Sequence, residues 1–158
     1  ALMDYCCYGA ILARVLLGQP EGVTGVQGSF RKEVLDVEDN AILVMSYPKA
    51  MATSEASWSQ IGKLTAYTTA IYGEEGTLVV EPQGGGRLLK ATAQEEEGLE
   101  LPVAEPEPHL ASGAAHFIWG IDSGEPFMPL CDSGTCRDAQ AILGAGQLSA
   151  ADGARVPL

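Results

Sequence analysis

No stretch of this 158-residue sequence is both long enough and apolar enough to cross a bilayer. The longest apolar run near its start, Ala10 to Leu17, is short and is broken by Arg14. No basic segment precedes that run and no small-residue cleavage pattern follows it, so it does not read as a signal peptide. Basic residues are scarce: nine Lys and Arg stand against 21 Asp and Glu, for a net charge of −12. A surface of that sign repels phosphate backbones, which argues against a nucleic-acid partner. Metal-ligating residues are few as well, with two histidines and four cysteines. Cys6 and Cys7 are neighbours and cannot comfortably clasp one ion, and Cys131 and Cys136 lack the two-residue gap of zinc knuckles. No metal centre is expected. A disulfide scaffold is not expected either in a chain of this size, and free thiols fit a reducing cytoplasm.

What is present describes a globular protein. Hydrophobic residues make up 46% of the chain and mean hydropathy is +0.08, enough for one domain with a proper core. The sequence opens on Ala1, directly inside a helical pattern, which suggests a fragment of a longer reading frame. Charge is unevenly spread: residues 1–90 hold ten acids against seven bases, residues 91–158 eleven against two. The most acidic stretch, Gln94 to Glu107, reads as a solvated strand edge and loop.

The opening ALMDYCCYGAILARVLLG predicts an apolar helix ending at Gly18, with Pro20 preventing its resumption. A period of about 3.6 residues puts Asp4 and Tyr8 on one face, one turn apart. Alternation and β-branched content then predict strands over Val23–Phe30, Asn40–Tyr47, Met51–Trp58, Leu64–Tyr72, Thr77–Glu81 and Arg87–Thr92, with Glu97–Val103 as a further edge. The glycines at 84–86 open no helix and precede no Lys-Ser/Thr, so they read as a hairpin turn rather than a phosphate loop. Helical spacing returns over His109–Ile121, with Leu110, Ala114, Phe117, Ile118 and Ile121 as the expected buried stripe. A last helix is expected from Ser133 or Thr135 to Asp152, burying Ala139, Ile142, Leu143, Gln147 and Leu148, before a short extended tail. Short links between successive strands favour antiparallel pairing. The expected fold class is therefore α+β: an antiparallel sheet covered on one face by helices, its other face wet or docked to a partner.

Several of these runs, in this order, resemble the C-terminal domain of the glucose–fructose oxidoreductase, inositol dehydrogenase and rhizopine-catabolism family (Gfo/Idh/MocA). Asp4 and Tyr8 look like the family's Asp-x-Gly-x-His/Tyr, closed by Leu16-Leu17-Gly18, with Cys6 standing where glycine is usual. Val37-Glu38-Asp39-Asn40-Ala41 resembles a Val-x-Asp-x-Ala strand entry, and Ser57-Trp58 a strand end. Gly73 to Leu78 is similar to a Gly-x-x-Gly-Thr-Leu turn, and Ala145 to Val156 to the family's closing segment.

The resemblance implies that residues 1–158 form a substrate-binding and oligomerisation domain. A Rossmann domain binding NAD or NADP would precede it and supply a catalytic lysine; no strand–GxGxxG–helix unit occurs in this sequence. The implied activity is oxidoreduction of a sugar, polyol or related alcohol, with the chain alone inactive. Tyr8 would be the proton donor or acceptor, within hydrogen-bond reach of the reacting hydroxyl. Asp4 would hold a substrate hydroxyl or orient the lysine, since a carboxylate beside a phenol opposes its ionisation. Tyr67 and Tyr72 are weaker candidates for substrate contact. The open sheet face would serve a homo-oligomer. The alternative is a non-catalytic sugar-binding or dimerisation module on the same fold. His116 reads as a packed histidine, His109 as an exposed helix start and Trp58 as core or sheet-face packing.

Overall fold

The structure is a computed structural model and describes residues 1–31, 36–62 and 67–158. Elements follow the order helix, strands, helix, helix, and every strand pair is antiparallel. The fold class is α+β, with one difference from expectation: the strands divide into two four-stranded sheets rather than extending a single one. The chain correspondingly forms two compact units, one of residues 1–59 and 116–158, the other of residues 60–115.

In the first unit, helix α1 (Leu2–Leu17) is followed by strands β1 (Gly22–Gly28), β2 (Asn40–Ser46) and β3 (Met51–Ser57). Helix α3 (Ser133–Asp152) and the short strand β8 (Val156–Pro157) also belong to it, and the sheet order is β3-β2-β1-β8. The expected extended tail is thus an edge strand, joined to β1 at Gly22 and Val23. Period-2 alternation sends Val23, Ala41, Leu43, Met45, Ser54 and Ala56 inward. Leu2, Cys6, Ala10 and Ala13 of α1, with Ala139, Ile142, Leu143 and Ala145 of α3, close over them. On the outer face Val26, Ile42 and Met51 are exposed.

Small residues let the helices sit close to the sheet. A Cβ at Gly25 would lie 2.1 Å from the Gly146 carbonyl oxygen, so α3 crosses β1 backbone to backbone there. The Gly25 N–H donates to Ser149 Oγ at 2.9 Å, which accounts for a serine on the buried face of α3. Arg14, which interrupts the apolar stripe of α1, reaches Asp138 of α3 at 2.9 Å. The buried stripe of α3 runs through Ala139, Ile142, Leu143, Ala145, Gly146 and Ser149, while Gln147 and Leu148 are exposed, contrary to expectation.

Helix α2 spans Gly113–Ser123, with a separate 3-10 turn at Pro108–Leu110 containing His109. Ser112 ends the expected continuity from His109, because its Oγ accepts the Ala115 N–H at 3.1 Å and caps the helix. The expected stripe is also on the wrong side. Phe117, Ile118 and Ile121 are exposed, and His116 and Gly120 are the buried positions. The chain after α2 folds back over that side: a Cβ at Gly120 would meet the Phe127 ring at 2.3 Å, and Nε2 of His116 accepts the Met128 N–H at 2.9 Å.

The second unit contains strands β4 (Thr69–Gly73), β5 (Gly76–Glu81), β6 (Arg87–Thr92) and β7 (Glu95–Leu101), paired in sequence order. Of the strand expected over Leu64–Tyr72, residues 64–66 lie outside the described residues. The 84–86 glycines lie in the connection between β5 and β6, where a 3-10 turn covers Gln83–Gly85. Among the described residues no helix is long and apolar enough to cross a membrane.

Candidate functional site

The site forms where the first turns of α1 pass the end of β3. Glu38 accepts the Leu2 N–H, so a side chain from the entry to β2 caps the helix and ties its start to the sheet. Asp39 is fully buried, and its carboxylate accepts the Phe30 and Arg31 amides at 2.9 and 2.8 Å and the Asn40 side-chain amide at 2.7 Å. The Val-x-Asp-x-Ala stretch is therefore an anchor: its acids hold one helix start and one loop.

Helical geometry then sorts the next residues. Residues two apart on a helix point about 200° apart, so Cys6 faces away from both Asp4 and Tyr8. Cys6 is fully buried, with its Sγ 3.5 Å from the Ser54 carbonyl oxygen, and burial pushes its thiol above the usual range. Close approach of α1 to β3 is set one turn further on: a Cβ at Gly9 would stand 2.2 Å from Ser54 Oγ. The cysteine at position 6 is accommodated in the core and does not separate the pair at the surface.

Asp4 and Tyr8 are both exposed on this face, Tyr8 by 52%. Tyr5 lies beside them, its ring edge-on to that of Tyr8 with centroids 6.4 Å apart. Trp58, just past the end of β3, donates its indole N–H to Asp4 Oδ2 at 3.2 Å. Packing is the role the sequence predicts for Trp58. It does pack, half-buried against the core, but its polar edge is turned to the carboxylate. Only the Ser57-Trp58 strand-end resemblance pointed to it, because 54 residues separate it from its partner.

Tyr67 and Tyr72 belong to the second unit, and both are exposed. Tyr67 has φ +60°, a backbone region that few residues other than glycine adopt, and Tyr72 pairs with Thr77 across β4 and β5. Among the described residues no group of three or more His, Cys, Asp or Glu could hold a metal ion. The described residues also form no glycine turn at a helix N-terminus of the kind that cradles a dinucleotide, the 84–86 glycines being part of an antiparallel connection.

The arrangement offers a carboxylate to accept hydroxyl hydrogen bonds, a phenol to exchange a proton, and aromatic rings around both. Several solved structures share this fold. The Caulobacter crescentus aldose-aldose oxidoreductase, solved with glycerol, is 21% identical, with TM-score 0.80 over 99% of this chain and 47% of that one. A levoglucosan dehydrogenase solved with NADH and levoglucosan is 23% identical, with TM-score 0.78 over 100% of this chain and 50% of that one. An Agrobacterium radiobacter oxidoreductase solved with NAD+, L-tartaric acid and magnesium is 18% identical, with TM-score 0.77 over 99% and 48%. The chain spans about half the length of these proteins, and at such identities the likeness speaks for the fold. No curated protein matches it. Residues 1–79, which carry α1, the first three strands and the Asp4–Tyr8–Trp58 surface, match the GFO/IDH/MocA C-terminal domain, and the chain belongs to that family.

Proposed function

We propose that this chain is the substrate-binding and dimerisation half of an NAD(P)-dependent oxidoreductase acting on a sugar, polyol or related alcohol. What most supports the reading is the exposed Asp4–Tyr8 face of α1, with the Asp4 carboxylate held from across the fold by Trp58. Both side chains face solvent one helical turn apart, so a ligand has access to a carboxylate and a phenol together.

The nicotinamide, when bound, accepts or returns a hydride. NAD or NADP is held mainly by a cofactor domain outside these 158 residues, and no step through the cofactor is assigned to this chain's own side chains. Their part is to bind, orient and exchange a proton. Asp4 accepts a hydrogen bond from a substrate hydroxyl, a charge-assisted contact that fixes the ring. Tyr8 as the phenolate takes the proton of the hydroxyl being oxidised and becomes the phenol, and as the phenol it returns that proton in the reverse direction. Relatives solved with glycerol or levoglucosan carry small polyhydroxylated ligands, in keeping with this choice of substrate class. The outer face of β1–β3, with Val26, Ile42 and Met51 exposed, is the dimer surface in this reading.

The test is made in a protein joining residues 1–158 to its cofactor domain, assayed for nicotinamide reduction with a panel of polyols and aldoses. Tyr8→Phe is expected to lower kcat at least about a hundredfold, the order of a lost general acid/base. Retained activity would make Tyr8 structural; no turnover of any polyol by the unmodified protein would favour a binding module. Sedimentation of the same preparation at the mass of a single chain would refute the dimer.

A further inference from the structure

Trp58 takes no part in the proposed proton transfer, yet it is bonded to Asp4. Its indole N–H lies 3.2 Å from Asp4 Oδ2, and its own placement is held from several sides. The ring is half-buried against the core of the first unit. Its backbone N–H donates to the Asp39 carbonyl oxygen at 2.7 Å. The flanking hydroxyls of Ser57 and Ser59 are 3.1 Å apart, and the Asn40 side-chain amide donates to Ser59 at 3.0 Å and to the Asp39 carboxylate at 2.7 Å. Asp39 in turn is buried and holds the Phe30 and Arg31 amides. A continuous set of bonds therefore runs from a buried carboxylate to the rim of the site.

We propose that Trp58 is a positioning residue for Asp4: its indole N–H holds Oδ2, which leaves Oδ1 to accept the substrate hydroxyl. This rests on the functional reading above. An exposed aspartate in the first turn of a helix otherwise samples several rotamers, and ordering it when substrate binds would cost entropy. A rigid donor removes that cost before binding and sets the angle at which the carboxylate meets the substrate. An indole suits this role because its packed ring has few rotamers and it carries a single donor without a competing acceptor.

Two measurements separate this proposal from the functional reading. The first needs no activity and uses the 158-residue chain. It has two tryptophans, Trp58 and Trp119, hence two indole N–H resonances. Asp4→Ala is expected to shift the Trp58 indole resonance and leave that of Trp119 in place; an unmoved Trp58 resonance overturns the proposal. The second uses the protein joined to its cofactor domain. Trp58→Phe is expected to lower kcat/KM about tenfold in the wild-type background and less than about twofold in an Asp4→Ala background. A merely structural tryptophan would give equal losses in both backgrounds, which overturns the positioning role. Because Asp4→Ala leaves the packed ring intact, the resonance test stands even where Trp58→Phe folds poorly. An inactive wild-type enzyme refutes the functional reading and the catalytic part of this proposal with it, while the indole resonance still reports whether the two side chains are bonded.

Discussion

Single side chains in this protein divide by whether their polar atoms reach a partner. Trp58 buries its ring and spends its one donor on Asp4. Ser149 is buried and accepts a strand amide, and Asp39 is buried and accepts two loop amides and the Asn40 side-chain amide. Tyr47 differs from these. Its side chain lies in the core, its hydroxyl has no hydrogen-bond partner among the described residues, and burial pushes that hydroxyl above the usual tyrosine range, with nearby Arg14 opposing. A buried hydroxyl without a partner costs more than the apolar atom that could replace it. Tyr47→Phe is therefore expected to leave stability unchanged or raise it by up to about 1 kcal/mol, read from the urea midpoint. A loss of more than that would mean the hydroxyl is bonded in solution, for instance to an ordered water.

Among the elements, the contact between α3 and β1 depends on two glycines that do different work. A Cβ at Gly25 would strike the Gly146 carbonyl oxygen at 2.1 Å, and backbone cannot step aside without moving the helix. A Cβ at Gly146 would meet the end of the Leu43 side chain at 2.3 Å, which can shift by a rotamer. Gly25→Ala is expected to destabilise by about 1–3 kcal/mol or more as an overpacked contact, and Gly146→Ala by clearly less. Denaturant unfolding of both variants checks the order, and equal losses would place the obstruction elsewhere. Helix α2 shows why element type was easier to read than element face. Phe117, Ile118 and Ile121 sit at helical spacing and invite burial, yet Phe127 and Met128 pack on the His116–Gly120 side. The deciding contact comes from residues beyond the helix, which no periodicity within it can report.

Across the whole molecule the two units are unequal. The first buries residues from three helices and three strands to near-zero exposure, among them Leu2, Leu43, Met45 and Ile142. In the second, every residue of β4 to β7 is at least partly exposed. Local opening takes least free energy where few apolar contacts are lost. Backbone amides of β4–β7 are accordingly expected to exchange with deuterium well before those of β1–β3 in the native protein. Uniform protection across both sheets would show that the second sheet is covered in solution by something beyond its own residues.

The amino-acid sequence by itself indicated most of the described helices and strands, because the 3.6- and 2-residue periods and the turn residues act locally. It also placed Asp4 and Tyr8 on one face of α1, since a single helix sets that spacing. Cys6 looked like an intruder between them in the linear order, and only helix geometry joined to the sheet put it into the core. The division of the strands into two sheets, the buried side of α2 and the bond from Trp58 to Asp4 were decided by tertiary structure alone. Each depends on residues far apart in sequence, and their meeting is the outcome of packing rather than of any local preference.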